Sequence, residues 1–323
     1  MCGIAGIFNN TSSFLLPELK KMTDSLIHRG PDGDGHWVDE EEGIALGHRR
    51  LAIIDLSEAA KQPMTFQNKY VITFNGEIYN YIEIRHLLMS CGYIFMSNSD
   101  TEVLLAAYDK WGTECLKYFD GMFAFALYDK QNKTLFCARD RFGEKPFYYS
   151  WSAKKFVFAS EMKALWKTDV SKSINNRLLY LFLTYSLHDD PSEPSHTFFS
   201  DIFRLKPAHY ILYKKNVSPV QVCYWKINPE GIDNSITFDN ACNKFRELFF
   251  DSVIKRLRSD VSVGTSLSGG LDSSSVVCAI DELVNKTNEF QKTFSAEEGT
   301  RYSVQIISSN FVNQFYCVFE AAS

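Results

Sequence analysis

The chain opens with Met1-Cys2-Gly3-Ile4-Ala5-Gly6-Ile7-Phe8. A cysteine directly after the initiator methionine becomes the N-terminal residue once that methionine is removed. Cys2 then carries a thiol nucleophile and a free α-amine on one residue. With reference pKa values of about 8.5 for a thiol and about 7.7 to 8.0 for an α-amine, the amine can take the thiol's proton near neutral pH, directly or through one water. The small, apolar run from Gly3 to Phe8 suits a buried first strand, which would hold a chain end that otherwise frays. On these residues alone, Cys2 can also be an accident of position.

With 323 residues, the chain has room for two domains, each with its own core. A hydrophobic fraction of 45% and a charged fraction of 23% are those of a soluble globular protein. The net charge of −5, with Lys and Arg scattered, gives no reason to expect nucleic acid. No apolar run reaches the roughly 18 residues needed to span a bilayer, and the N-terminus lacks a basic region followed by a long apolar segment. A cytoplasmic protein without membrane partners is expected. The eight cysteines show neither paired C-x-x-C spacing nor the density of a disulfide scaffold, so neither structural zinc nor disulfides are expected.

Leu15, Leu19, Met22 and Leu26 recur at helical spacing and predict a helix over the first strand. The glycine- and proline-rich stretch from His28 to Gly35 then reads as a mobile loop, either a lid over a small substrate or an ordinary surface connection. Short β-like runs follow at 44–48, 51–55 and 70–74. The last stops at Asn75-Gly76, a pair that usually marks a tight turn but can also present a side-chain amide and a backbone N–H to one point, as an oxyanion hole requires. Helices are predicted at 81–91 and 101–111, the second capped by Ser99 or Asp100. Strands at 123–128, 134–138, 146–150, 155–159 and 209–213, with helices at 160–167 and 175–185, complete a first domain of mostly antiparallel sheet with covering helices, an α+β layered architecture.

The segment 226–239 reads as the linker between domains at 1–225 and 240–323. Beyond it come a helical stripe from Ala241 to Leu257, a strand at 261–267, the turn Ser268-Gly269-Gly270-Leu271-Asp272-Ser273-Ser274 and a helix at 275–283. Strand, glycine-rich turn and helix form the phosphate-binding arrangement of an α/β domain, in which backbone N–H groups face an anion. No Lys follows the glycines, so this is not a Walker A loop, and the serine hydroxyls would add donors for a pyrophosphate.

The stretches MCGIAGIF, HRGPDG, HRRLAIID, FNGEIYN, NSDTEVLL, GMFAFALYD, ARDRFGEKPFYY and ASEMKAL, followed by SLSGGLDSS, closely resemble the glutamine-hydrolysing asparagine synthetases. The resemblance runs from Met1 to about Ala279. It implies a four-layer αββα N-terminal-nucleophile hydrolase sandwich, followed by an incomplete Rossmann-like α/β ATP-pyrophosphatase domain. By resemblance, Cys2 attacks the glutamine side-chain amide while Asn75 and the Gly76 N–H hold the oxyanion. Arg50 grips the α-carboxylate and Asp100, with Glu77, holds the α-ammonium, and Leu51 and Ile53 belong to the same pocket. Leu267 to Ser274 would hold ATP, with Mg2+ arriving with the nucleotide and Asp272 as its candidate carboxylate. No protein-only metal site and no organic prosthetic group are implied. Aspartate would be activated as β-aspartyl-AMP and then amidated by the released ammonia. The strand around Met122 to Ala126 resembles the wall of an ammonia passage and fits a plain core strand equally well. A homodimer is consistent with the resemblance.

Family members continue for a few hundred residues past SGGLDSS and include a second acidic, glycine-rich loop that is missing here, and the tail 304–323 does not align. The chain is therefore expected to carry only the glutaminase half in working form, as a fragment, a premature stop or a frame change. Two alternatives stay open: an amidotransferase for another adenylated carboxylate, and a non-catalytic glutamine-binding remnant.

Overall fold

The computed structural model describes residues 1–9 and 15–284, together with the backbone of 291–295 and 303–307. The chain divides into two compact units, Met1–Asn228 and Pro229–Ser323.

The strands of the first unit are β1 (Gly3–Asn9), β2 (Gly33–Asp39), β3 (Ile44–Arg50), β4 (Met64–Phe66), β5 (Tyr70–Ile78), β6 (Gly121–Asp129), β7 (Thr134–Arg139), β8 (Tyr148–Trp151), β9 (Lys155–Ala159), β10 (Phe203–Arg204), β11 (His209–Tyr213) and β12 (Gln221–Cys223). Its helices are α1 (Leu15–Asp24), α2 (Tyr81–Ser90), α3 (Asp100–Trp111), α4 (Met162–Leu165) and α5 (Asn176–Tyr185). Two six-stranded sheets form, ordered β10-β8-β9-β1-β3-β2 and β12-β11-β7-β6-β5-β4, and their strand pairs are antiparallel.

Alternation along the strands assigns each face. In β1, Ile4 and Phe8 meet Ile44 and Leu46 of the same sheet and Val71, Ala124, Ala126 and Tyr128 of the other, forming the core between the sheets. The intervening Ala5 and Ile7 pack outward on Leu15, Leu19 and Met22 of α1 and on Ala164 and Leu165 of α4. In the second sheet, Ile72, Phe74, Phe123 and Phe125 face Ile84 and Leu88 of α2 and Val103 and Leu104 of α3. Helix, sheet, sheet, helix: three cores separate four layers, the α+β sandwich expected.

Three local expectations are overturned. Residues 51–55 are not a strand; they leave β3 as a loop. Asn75 and Gly76 are not a turn but lie within β5, paired with Ala124 and Phe123 of β6. Gly76 is required by close approach rather than by a positive φ, since a Cβ there would meet the Met122 carbonyl oxygen at 2.1 Å. Nor is the stretch from His28 to Gly35 a free lid. Ile27–Arg29 is a 3-10 turn, Gly33 already pairs with Arg50, and the Asp32 N–H donates to the Arg50 carbonyl at 3.0 Å. Gly30 lies so near the Arg49 backbone that a Cβ would sit 2.3 Å from its carbonyl carbon. Tertiary pairing overrides the local glycine signal in each case.

The second unit begins with α6 (Phe238–Arg256), β13 (Gly264–Ser266) and α7 (Leu271–Val284). Strand β13 pairs in parallel with β14 (Gln291–Ser295), which pairs antiparallel with β15 (Ser303–Ile307). The helix between two parallel strands makes a βαβ unit, the start of an α/β domain. Val253 of α6 packs on Ala279 and Ile280 of α7. The tail beyond 307 lies outside the described residues.

Candidate active site

The first unit contains a cavity of about 150 Å³ at one end of the strands. Cys2, Arg50, Leu51, Ile53, Asn75, Gly76, Glu77 and Asp100, which the resemblance assigns to one glutamine pocket, all line it.

Cys2 enters from the chain end just before β1. Its thiol lies 3.5 Å from the Leu51 carbonyl and 3.4 Å from the Leu51 N–H. Burial pushes the thiol's pKa up, opposed by the hydrogen bond from Leu51. The thiol is therefore protonated at neutral pH and needs a base. The α-amine, on Met1 in this chain, is pushed down by burial, which favours its neutral, basic form. The terminal segment is pinned rather than frayed. Ile4 exchanges backbone and hydroxyl hydrogen bonds with Ser160, and Arg29 Nε donates to the Cys2 carbonyl at 3.0 Å. Arg29 is held in turn by Glu161 at 3.0 Å. Burial would raise the Glu161 carboxyl, but hydrogen bonds from Arg29, Lys163 and His28 bring it down to about 2.

Asn75 is 1% exposed, and neither its Oδ1 nor its Nδ2 has a protein partner. A buried amide left unpaired costs about 1–3 kcal/mol, so its retention points to a ligand group. Arg50 uses Nη1 and Nη2 to donate to the carbonyls of Ser57 (3.0 Å) and Asp55 (2.5 Å), which fixes the plane of its guanidinium. Asp100 is the first helical residue of α3, and Ser99 is the cap, accepting from the Thr101 N–H at 3.0 Å. Burial drives the Asp100 carboxyl up to about 7, although its Oδ2 accepts the Ile78 N–H at 2.9 Å. Burial also raises Glu77, with Lys145 opposing.

Among the lining residues that sequence reasoning did not single out are His48, Gln62 and Lys145. His48 is fully buried, and burial pushes it down to about 4, so the ring is neutral. Its Nε2 lies 3.1 Å from the Phe74 carbonyl, which can only accept, so Nε2 carries the proton and the Nδ1 lone pair has no protein partner. The signal was there: residues 44, 46, 48 and 50 share one face of β3. Gln62 is tied to the Phe74 N–H at 2.7 Å and to the Thr101 hydroxyl at 3.2 Å. Lys145 brings a buried amine, with burial lowering its pKa. Met122 also lines the cavity, while Phe123 and Phe125 turn to the helices and Ala124 and Ala126 to the core between the sheets.

The loop from Leu267 to Ser274 belongs to the second unit. Gly269 adopts a φ of +80°, the Ser268 N–H donates to Ser273 Oγ at 3.3 Å, and Ser273 Oγ donates to the Gly270 carbonyl at 3.2 Å. Gly269, Gly270, Leu271 and Asp272 are exposed at the start of α7. Among the described residues, no cluster of three or more His, Cys, Asp or Glu side chains is placed to hold a metal ion. No helix among the described residues is long and apolar enough to cross a membrane.

A family model described as the glutamine amidotransferase domain matches residues 1–225. The chain belongs to the glutamine amidotransferase family. Residues 244–306 match the model described as asparagine synthase. Asparagine synthetase (glutamine-hydrolysing) 1 of Bacillus subtilis is 36% identical to this chain over 302 residues, covering 92% of this chain and 46% of the relative. Asparagine synthetase (glutamine-hydrolysing) 3 of the same organism is 38% identical over 282 residues, covering 85% and 44%. The chain thus spans about half the length of these relatives. Among solved structures, glutamine phosphoribosylpyrophosphate amidotransferase from B. subtilis, complexed with ADP and GMP, matches at a TM-score of 0.50 and 18% identity, covering 87% of this chain and 64% of that one. That likeness concerns the fold alone, and it agrees with the αββα sandwich.

Proposed function

We propose that the first unit hydrolyses glutamine to glutamate and ammonia, with Cys2 as an N-terminal nucleophile. The observation that carries this reading is the buried, unpartnered Asn75 carboxamide, next to the Gly76 N–H, in the same cavity as the Cys2 thiol. After removal of Met1, the Cys2 amine takes the thiol proton and the sulfur attacks the carboxamide carbon. Asn75 Nδ2 and the Gly76 N–H donate to the oxyanion, the protonated amine delivers its proton to the leaving nitrogen, and ammonia departs from a thioester. Water, deprotonated by the same amine, releases glutamate and restores the thiol. Production of glutamate and ammonia from glutamine by the purified chain tests the reading, and their absence contradicts it.

Charge balance supports the substrate. A free amino acid brings one anion and one cation, and the cavity offers Arg50 for the α-carboxylate and Asp100 for the α-ammonium. Arg50→Lys replaces a planar fork with a point charge, so the KM for glutamine should rise roughly ten- to a hundredfold, the equivalent of about 1.5–3 kcal/mol for a charge-assisted hydrogen bond. Initial rates against glutamine concentration check this, and an unchanged KM rejects the role.

Asp100 predicts a pH dependence of its own. With its carboxyl near 7, it is increasingly neutral as the pH falls and cannot pair with an ammonium. The KM for glutamine should therefore climb as pH drops below about 7, by up to roughly tenfold per unit, and flatten above it. Asp100→Asn should remove that limb of the profile. The same shift favours the folded state at low pH, an advantage lost as pH rises through about 7.

The full reaction we propose is glutamine-dependent synthesis of asparagine. The ammonia would amidate aspartate activated by ATP as β-aspartyl-AMP, with Leu267 to Ser274 donating to the nucleotide phosphates. Mg2+ would come with ATP, and Asp272 is the carboxylate in the loop that could meet it. The supports are the match of residues 244–306 to the asparagine synthase model and the names of the relatives.

A further inference from the structure

Asp55 is not among the residues that line the cavity, yet it touches the supports of both charged anchors. It lies on the loop after β3 with a φ of +52°, a region that glycine, asparagine and aspartate tolerate best. Its backbone carbonyl accepts from Arg50 Nη2 at 2.5 Å. Its carboxylate, 7% exposed for the residue as a whole, faces two ways. Oδ1 accepts from the Ser57 N–H at 3.0 Å and from the Ser57 hydroxyl at 2.5 Å. Oδ2 accepts from the Asn98 N–H at 2.7 Å, two residues before Asp100. The Ser57 carbonyl in turn accepts from Arg50 Nη1 at 3.0 Å, so the carboxylate shapes the turn that presents both acceptors to Arg50.

We propose that Asp55 is a positioning residue that ties the two ends of the glutamine pocket together. Its carbonyl and its hold on Ser57 aim Arg50 at the α-carboxylate, and its hold on Asn98 seats the segment that carries Asp100, the partner of the α-ammonium. One residue thereby sets the spacing between the anion and cation sites, which selects a substrate bearing both groups on one carbon. The inference rests on the glutamine reading above. The Asp100 end has further supports: Arg85 donates to the carbonyls of Ser97 (2.7 Å) and Ser99 (3.0 Å). The Arg50 end therefore depends more heavily on Asp55.

Asp55→Asn and Asp55→Gly both suit the positive φ, so each tests the carboxylate without straining the backbone. Asparagine cannot satisfy both sides, because whichever way the amide turns, its NH₂ faces an N–H donor. Both substitutions are made in a Cys2→Ala background, where binding can be measured by calorimetry without turnover. Three ligands are compared: glutamine, 4-carbamoylbutanoate, which lacks the α-ammonium, and 4-aminobutanamide, which lacks the α-carboxylate. Each Asp55 substitution should weaken glutamine about tenfold, and should weaken both analogues by a smaller factor, least for the one without a carboxylate. An equal factor for all three ligands overturns the proposal, because a general loosening of the pocket does not depend on which charge is present. A reduced factor for only one analogue assigns Asp55 to a single anchor and overturns the bridge. Loss of the cooperative thermal transition in both variants makes Asp55 a folding residue and overturns it as well. If the Cys2→Ala parent binds none of the three ligands, the glutamine reading fails and takes this inference with it.

Discussion

Replacing Cys2 with alanine is expected to lower glutamine hydrolysis on the order of 10⁴-fold or more, while glutamine binding stays within about threefold of the parent. The cavity supplies no equivalent nucleophile. Thr101 carries the other hydroxyl or thiol among its lining residues, and that hydroxyl is engaged by Gln62 Nε2. Burial lowers the pKa of the Lys145 amine, opposed by the carboxylates of Glu77 and Glu144. Binding is spared because the charged anchors sit on β3 and α3 and make no hydrogen bond to the thiol, whose neighbours are the Leu51 carbonyl and N–H. Glutamate release and calorimetric titration measure the two quantities separately. Residual hydrolysis above a few per cent of the parent would assign the chemistry to another group.

Asn75→Ala should lower kcat by roughly 10²–10³, about 2.7–4 kcal/mol, with little change in the KM for glutamine. The donor matters most when the carbonyl oxygen becomes an oxyanion, so its loss falls on the transition state rather than on the ground-state complex. A second expectation separates this effect from ordinary damage. Because neither polar atom of the Asn75 side chain has a protein partner, truncation breaks no hydrogen bond within the folded chain. It removes a buried, unpaired amide, which costs about 1–3 kcal/mol, so the melting temperature should hold steady or rise while kcat falls. A fall in kcat accompanied by a comparable loss of stability would argue that Asn75 serves the fold instead.

The layered α+β architecture was legible in the succession of strands and covering helices, and the four-layer sandwich in the resemblance. The first strand, read as a small apolar run, alternates in the structure between two cores, Ile4 and Phe8 against one, Ala5 and Ile7 against the other. The turns around the site were not legible, because their residues answer to neighbours far along the chain. Asn75-Gly76 has the composition of a hairpin turn, yet β6 passes so close that only glycine leaves room for the Met122 carbonyl. The stretch from His28 to Gly35 has the composition of a loose loop, but Gly30 and Asp32 are stitched to Arg49 and Arg50 of β3. Apolar Leu51, Ile53 and Ile54 imitate a strand because they line a cavity rather than a sheet face. Cys2 stood out by its place at the chain end, whereas Arg50, Glu77 and Asp100 were singled out through the resemblance, Asp100 reading otherwise as a helix cap. His48 and Gln62 stood out in neither way, since their part depends on burial and on which atom is left free.

In the proposed chemistry the amine and the thiol act from one residue at the chain end. Intact-mass spectrometry of the purified protein, run alongside its glutaminase assay, tests it most directly. Active preparations should consist of chains beginning at Cys2, with activity proportional to the fraction from which Met1 has been removed. Full activity from chains that retain Met1 would contradict it.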